Sequence, residues 1–172
     1  MATTLAVGQI KAVIGWNMEN VLTGGNTANS NTDTYSKSLT DGTGATGTGD
    51  RMYRTETTIA GGGTLNLDLA GSLTDFFGNV ITFARVKAIK VELTNDTTAT
   101  SILIGDHASP WNTWVAGTNP RVRVYNGGCF FLAGPGATMY AVTAGSADGL
   151  KIVNEDGANV ATIKITIIGS SA

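Results

Sequence analysis

The chain has 172 residues, of which 42% are hydrophobic, 14% are charged and 23 are glycine, and its formal net charge is -2. That length suits one domain with a core large enough to need no covalent or metal staple. The charge balance excludes a partner held by phosphate contacts, because the closest basic neighbours, Arg85, Lys87 and Lys90 or Arg121 and Arg123, lie among apolar residues as strand residues do.

From the N-terminus, Met1 to Gly15 lacks the basic segment, apolar core and small-residue cleavage site of a secretion signal, and no apolar run is long enough to span a bilayer. Synthesis in a cytoplasm and no membrane partner are the expectations. Val13, Ile14, Trp16, Met18, Val21 and Leu22 predict a first strand docked on the main body. Thr23 to Asp50 is dominated by Thr, Gly, Asn and Ser, with Tyr35 and Leu39 as its only large apolar residues, so it cannot form a core alone. It reads as a long loop or arm, mobile or laid across a neighbouring subunit. The expected division is therefore an N-terminal strand plus arm over 1–50 and a β-domain over 51–172.

From Arg51 onward, strand signals recur between turn residues. Arg51–Ile59 precedes the Gly61-Gly62-Gly63 breaker. Leu65, Leu67 and Leu69 alternate with Asn66 and Asp68, and Ile89, Val91 and Leu93 alternate with Lys90 and Glu92, the period of a strand with one buried face. Ser101–Ile104, Arg121–Tyr125, Cys129–Leu132, Thr138–Thr143, Leu150–Val153 and Val160–Ile168 follow. In the last of these, Ala161, Ile163, Ile165 and Ile167 share a face, and Gly169 to Ala172 reads as a short solvated tail. About nine strands and no comparable helical stripe predict an all-β sandwich or barrel.

Leu73 to Ile89 (LTDFFGNVITFARVKAI), Tyr140 to Ile152 (YAVTAGSADGLKI) and the closing Ile167 to Ala172 (IIGSSA) resemble small virion proteins encoded among the structural genes of tailed bacteriophages. The resemblance covers a little over half of the chain and rests on structural segments, not on active-site signatures. It implies a jelly-roll-like β-sandwich that acts as a capsid decoration, head-fibre or tail accessory subunit, made in the host cytoplasm and ending in the virion. Its partners would be capsid or tail proteins and further copies of itself, with a homotrimer as the expected form. Low charge and Thr-rich edge strands suit such assembly on physical grounds.

The sequence carries no catalytic constellation and no expected cofactor or metal. Cys129, the single cysteine, sits between Gly127-Gly128 and Phe130-Phe131 and reads as a small buried hydrophobe. As a nucleophile it would need His107, the only histidine, and an orienting partner beside it. His107 alone cannot complete a transition-metal site. Asp33, Asp41 and Asp50 lack the spacing of a calcium loop and read as solvated turn residues, as does Glu155-Asp156-Gly157. Nothing in the spacing of Glu56, Asp68, Asp75 and Glu92 selects a hydrolytic pair. Candidate interaction residues are His107, Trp111, Trp114 and Tyr125. The tryptophans either anchor a loop to the core or a neighbour, or with Tyr125 form a stacking platform for glycans. The expected function is thus a non-enzymatic structural subunit, with a carbohydrate-binding module as the alternative.

Overall fold

A computed structural model describes residues 7–22, 25–95, 100–117 and 120–172. The described elements are all β-strands. Eight of them form two four-stranded antiparallel sheets. In the first, β10 (Cys129–Ala133), β7 (Arg85–Leu93), β12 (Ala161–Ser170) and β3 (Arg51–Ile59) lie in that order. In the second the order is β4 (Thr64–Asp68), β11 (Gly149–Asn154), β8 (Ser101–Gly105) and β9 (Arg121–Tyr125).

The two sheets pack as a sandwich because the alternating residues of each strand converge on one core. Ile89, Val91, Leu93, Ile163, Ile165 and Ile167 of the first sheet join Leu67, Ile102, Ile104, Val124 and Ile152 of the second in a single cluster. Asn154 closes one end. Its buried Nδ2 donates to the carbonyls of Ile59, Ala60 and Asn159, at 3.1, 3.1 and 2.8 Å, and its Oδ1 accepts from the Asp156 amide at 3.1 Å. A turn-prone residue thereby ties the chain leaving β3 to the chain entering β12.

The order of pairing is regular. Among the eight sandwich strands the first pairs with the last, β3 with β12, and the second with the seventh, β4 with β11. The third pairs with the sixth, β7 with β10, and the fourth with the fifth, β8 with β9. Two very short strands, β5 (Leu73–Thr74) and β6 (Val80–Ile81), make a separate hairpin between β4 and β7.

The N-terminal segment departs most from expectation. β1 (Val7–Leu22) and β2 (Gly25–Thr40) pair along 16 residues each, from Val7 opposite Thr40 to Leu22 opposite Gly25. Residues 25–40 are therefore a strand and not a loop: Thr is a good strand former, and each residue finds a backbone partner in β1. The hairpin is roughly 50 Å long at the usual rise of a strand. It is not laid on the sandwich. Among the described residues only its base is anchored, where Ile10 and Leu39 are buried with Ala88, Ala133 and Ile168 on the outer side of the first sheet.

A connector fixes that base. The Thr40 amide donates to Gly47 at 2.9 Å, the Gly47 amide to Pro135 at 2.8 Å and the Asp50 amide to Gly169 at 3.0 Å. Asp50, expected to be solvated, is buried. Its carboxylate accepts from the Ser171 amide at 2.8 Å and hydroxyl at 2.6 Å, and meets Arg51 at 2.8 Å. The C-terminal residues are accordingly clasped, with Gly169 and Ser170 inside β12, and do not form a free tail.

Three further expectations are corrected. Thr138–Thr143 is not a strand: Tyr140 takes a left-handed φ of 46°, and the segment retains only isolated bridges, Arg85 to Ala141 and Thr143 to Ala147. With β5 and β6 added, the described strands from Arg51 onward are the ten from β3 to β12, instead of about nine. Cys129 is exposed, because on β10 Phe130 and Leu132 take the core-facing side and Cys129 and Phe131 the outer one.

Candidate functional site

The residues expected to interact are placed by the segment from Asp106 to Val115 and by the β9–β10 turn. The Trp111 amide donates to Gly149 and the Gly149 amide to Ser109, at 2.9 and 2.8 Å, which straps the loop to the start of β11. Trp111 is buried, with Nε1 3.4 Å from the carbonyl of Tyr140. Trp114 is half-buried. Its Nε1 donates to the Trp111 carbonyl at 2.8 Å, and its ring lies 6.0 Å from Trp111 and 5.1 Å from Phe130. Both rings are occupied by packing, and Trp111 leaves no face for a ligand to stack on.

His107 lies half-buried over Gly149, where the space for a β-carbon is filled by the imidazole ring. Its Nδ1 accepts from the Ser109 amide at 3.0 Å, so this nitrogen has a local structural partner. Tyr125 differs from the other three. It is 66% exposed on β9, beside a shallow groove that runs from Val122 to Phe131 between the two edge strands. The four candidates therefore do not converge on one surface.

The acidic residues are dispersed as well. Glu56 lies 3.8 Å from Lys164 on the outer face of the first sheet, where Glu92 also meets Lys90. That lysine, donating to Glu92, holds its carboxyl below the usual range. Asp68 accepts from the Ala70 amide at 2.8 Å, and Asp75 from the amides of Phe77 and Asn79 at 2.8 and 2.9 Å, which makes both of them turn caps. On the second sheet, Arg123 grips Glu155 through two nitrogens at 2.6 and 2.7 Å, and Ser101 donates to the same carboxylate at 2.8 Å. The guanidinium holds the Glu155 carboxyl below its usual value. Among the described residues no three His, Cys, Asp or Glu side chains gather as metal ligands.

Lys87 is the unusual cation. Its side chain is fully buried, and Nζ donates to the Gly136 carbonyl at 2.6 Å. Burial, with Arg85 nearby, pushes its pKa below the usual lysine value. This ammonium holds the 134–137 turn against β7.

Two surfaces stand out that the spacing of polar residues did not reveal. The first is the turn between β5 and β6, where Phe76 is 92% exposed and Phe77 also points outward. The second is the long hairpin. On one face β1 presents Ile10, Ala12, Ile14, Trp16 and Met18, and the residues opposite them on β2 are Lys37, Tyr35, Asp33, Asn31 and Asn29. Trp16 is fixed there by its Nε1, which donates to Asn29 Oδ1 at 3.1 Å. On the other face Gln9, Lys11, Val13, Gly15 and Asn17 lie opposite Ser38, Ser36, Thr34, Thr32 and Ser30. One face is thus largely apolar on its β1 half and the other largely polar, although neither is covered beyond the base. The sequence groups Val13 with Ile14, Trp16 and Met18, whereas the strand register sets Val13 on the opposite face.

Comparison of the chain with family models, with curated proteins and with solved structures finds no match. The functional reading therefore rests on the geometry and on the segments quoted above.

Proposed function

We propose that the chain is a non-enzymatic structural subunit of a tailed-phage particle, a capsid decoration or accessory protein that attaches through its arm and strand edges. The observation that carries this reading is the order of pairing in the sandwich. Eight strands paired first with last, second with seventh, third with sixth and fourth with fifth, with the pairs shared alternately between two sheets, correspond to a long hairpin rolled on itself. We read that order as a jelly roll, an architecture used repeatedly for capsid subunits. The projecting arm and the low charge of the surface support assembly, since such surfaces are covered at small desolvation cost. Three copies about a three-fold axis is the form we favour.

The test is to locate the chain on purified particles of the virus that encodes it and to repeat the experiment with residues 12–35 replaced by a short turn. That deletion keeps Ile10 and Leu39 at the base. A folded but unattached variant is expected, and absence of the intact chain from purified particles would overturn the reading.

A carbohydrate-binding role is the second reading, favoured by the exposed Tyr125 beside its groove and by the use of jelly rolls in lectins. It predicts glycan-array binding that Tyr125→Ala abolishes.

A further inference from the structure

The edge of the first sheet carries a more specific inference, which needs only the sandwich and goes beyond the reading above. We propose that β3 pairs antiparallel with β3 of a second copy about a two-fold axis at Thr55, joining the first sheets of the two copies into one continuous sheet.

β3 ends its sheet, with β12 as its only strand neighbour among the described residues. The other edge strands of the sandwich, β4, β9 and β10, are 5 residues long, whereas β3 has 9, pairs in unbroken register and contains no proline. Sheets usually blunt an edge with a bulge, a proline or a short strand, so a long regular edge is open to a further strand. The backbone groups that point outward follow from the ladder. The Thr94 amide donates to the Thr162 carbonyl at 2.9 Å, so Thr162, Lys164 and Thr166 turn their backbone groups towards β7. Ile163, Ile165 and Ile167 turn theirs the other way, to Thr57, Thr55 and Tyr53. Met52, Arg54, Glu56 and Thr58 therefore aim their N–H and C=O groups at the open edge.

That alternation, with two charges, selects both the partner and the register. A two-fold pairing that satisfies these groups along most of the strand has its axis at Arg54, Thr55 or Glu56. Centred on Arg54 it sets two arginines opposite each other, and centred on Glu56 two glutamates. Centred on Thr55 it sets Arg54 of each copy opposite Glu56 of the other, and Met52 of each opposite Thr58 of the other. Unlike charges directly opposed stabilise a strand pair and like charges oppose it. The outer face of the sheet already follows this rule. Lys164 lies between Glu92 and Glu56, while Arg54 enters none of the ion pairs among the described residues. Arg54 of a second copy beside Glu56 continues the alternation of sign across the junction. The pairs 54–56 and 52–58, each made twice, give about eight backbone hydrogen bonds. Such main-chain bonds supply the affinity when a strand is added to a sheet edge. The contact joins copies in twos, so it lies apart from a three-fold axis and links one three-fold assembly to another.

The experiment uses the full chain. Sedimentation equilibrium should show association that Arg54→Glu or Glu56→Arg alone weakens by more than about tenfold, and that the two substitutions together restore. With Cys129→Ser in place, mild oxidation should link Thr55→Cys into covalent dimers, because this residue meets itself across the axis at about 4.5 Å between α-carbons. Thr57→Cys, on the same face, should stay unlinked, because it lies opposite Tyr53 of the second copy. A chain that does not associate, association unmoved by either single reversal, a double exchange that fails to restore it, or equal linking at 55 and 57 would each overturn the proposal. Should pairing be absent while the chain is found on particles, the inference falls and the proposed function stands.

Discussion

The sandwich and the arm are written in the same period-two pattern and end in opposite states. In β12, Ile163, Ile165 and Ile167 are fully buried because two neighbouring strands and a facing sheet of the same chain cover them. In β1, Ile14, Trp16 and Met18 follow the same spacing and remain exposed, because among the described residues β2 is the only neighbour and no second layer faces it. Alternation states which side of a strand seeks cover, and whether the cover lies in the same molecule is decided by topology.

That contrast can be broken most forcefully in the core. Ile165→Ala should cost about 2–5 kcal/mol of unfolding free energy, read from denaturant melts, through lost burial and the cavity left behind. Asn154→Ala should cost about 1–3 kcal/mol by the same measurement, since it strands buried backbone carbonyls that Nδ2 now satisfies.

Lys87 sharpens the comparison with a titration. Its folded pKa lies below the unfolded value of 10.5, so on raising the pH the native state releases this proton before the unfolded state does. The Lys87 contribution to stability should therefore rise with pH up to about 10.5, and the difference between native chain and Lys87→Met, followed by melts across alkaline pH, should display that rise. Glu155 works in the opposite sense. Its carboxyl is held below 4.5 by Arg123, so its contribution is present above that pH and is lost as the pH falls through the lowered folded value. Arg123→Met should remove that acid-side loss, as seen in melts below about pH 5. The smallest effect is expected in the arm, where Ile14→Ser should leave the melt of a dilute, unassociated sample within about 0.5 kcal/mol of the native chain.

Much of the sandwich was legible in the sequence. The leucines of β4, the aliphatic run of β7 and the alternation of β12 identify their buried faces because most of the residues between them are charged, amidic or threonine. β2 escaped because its strand signal is backbone pairing with little apolar content: Thr, Asn and Ser look like a loop until a partner strand is in place. The Asp50 clasp escaped because its partner, Ser171, lies 121 residues away. Of the candidate site, the anchoring role of Trp111 was one of two readings left open, and nothing in the local sequence tells a tryptophan that packs inward from one that faces a ligand. The uncovered stripe on β1 required the register with β2, which shows that Val13 and Ile14 face opposite ways.

Pairing first with last also governs the order in which the molecule can be made. β12 lies between β3 and β7, so the first sheet lacks an inner strand until residue 170 has been synthesised and released. The arm's ladder is local in sequence and can close on the nascent chain, whereas the sandwich must wait for its most distant contacts, which places it among the slower-folding topologies. For a period during synthesis β3 and β7 therefore lack the strand that joins them into one sheet.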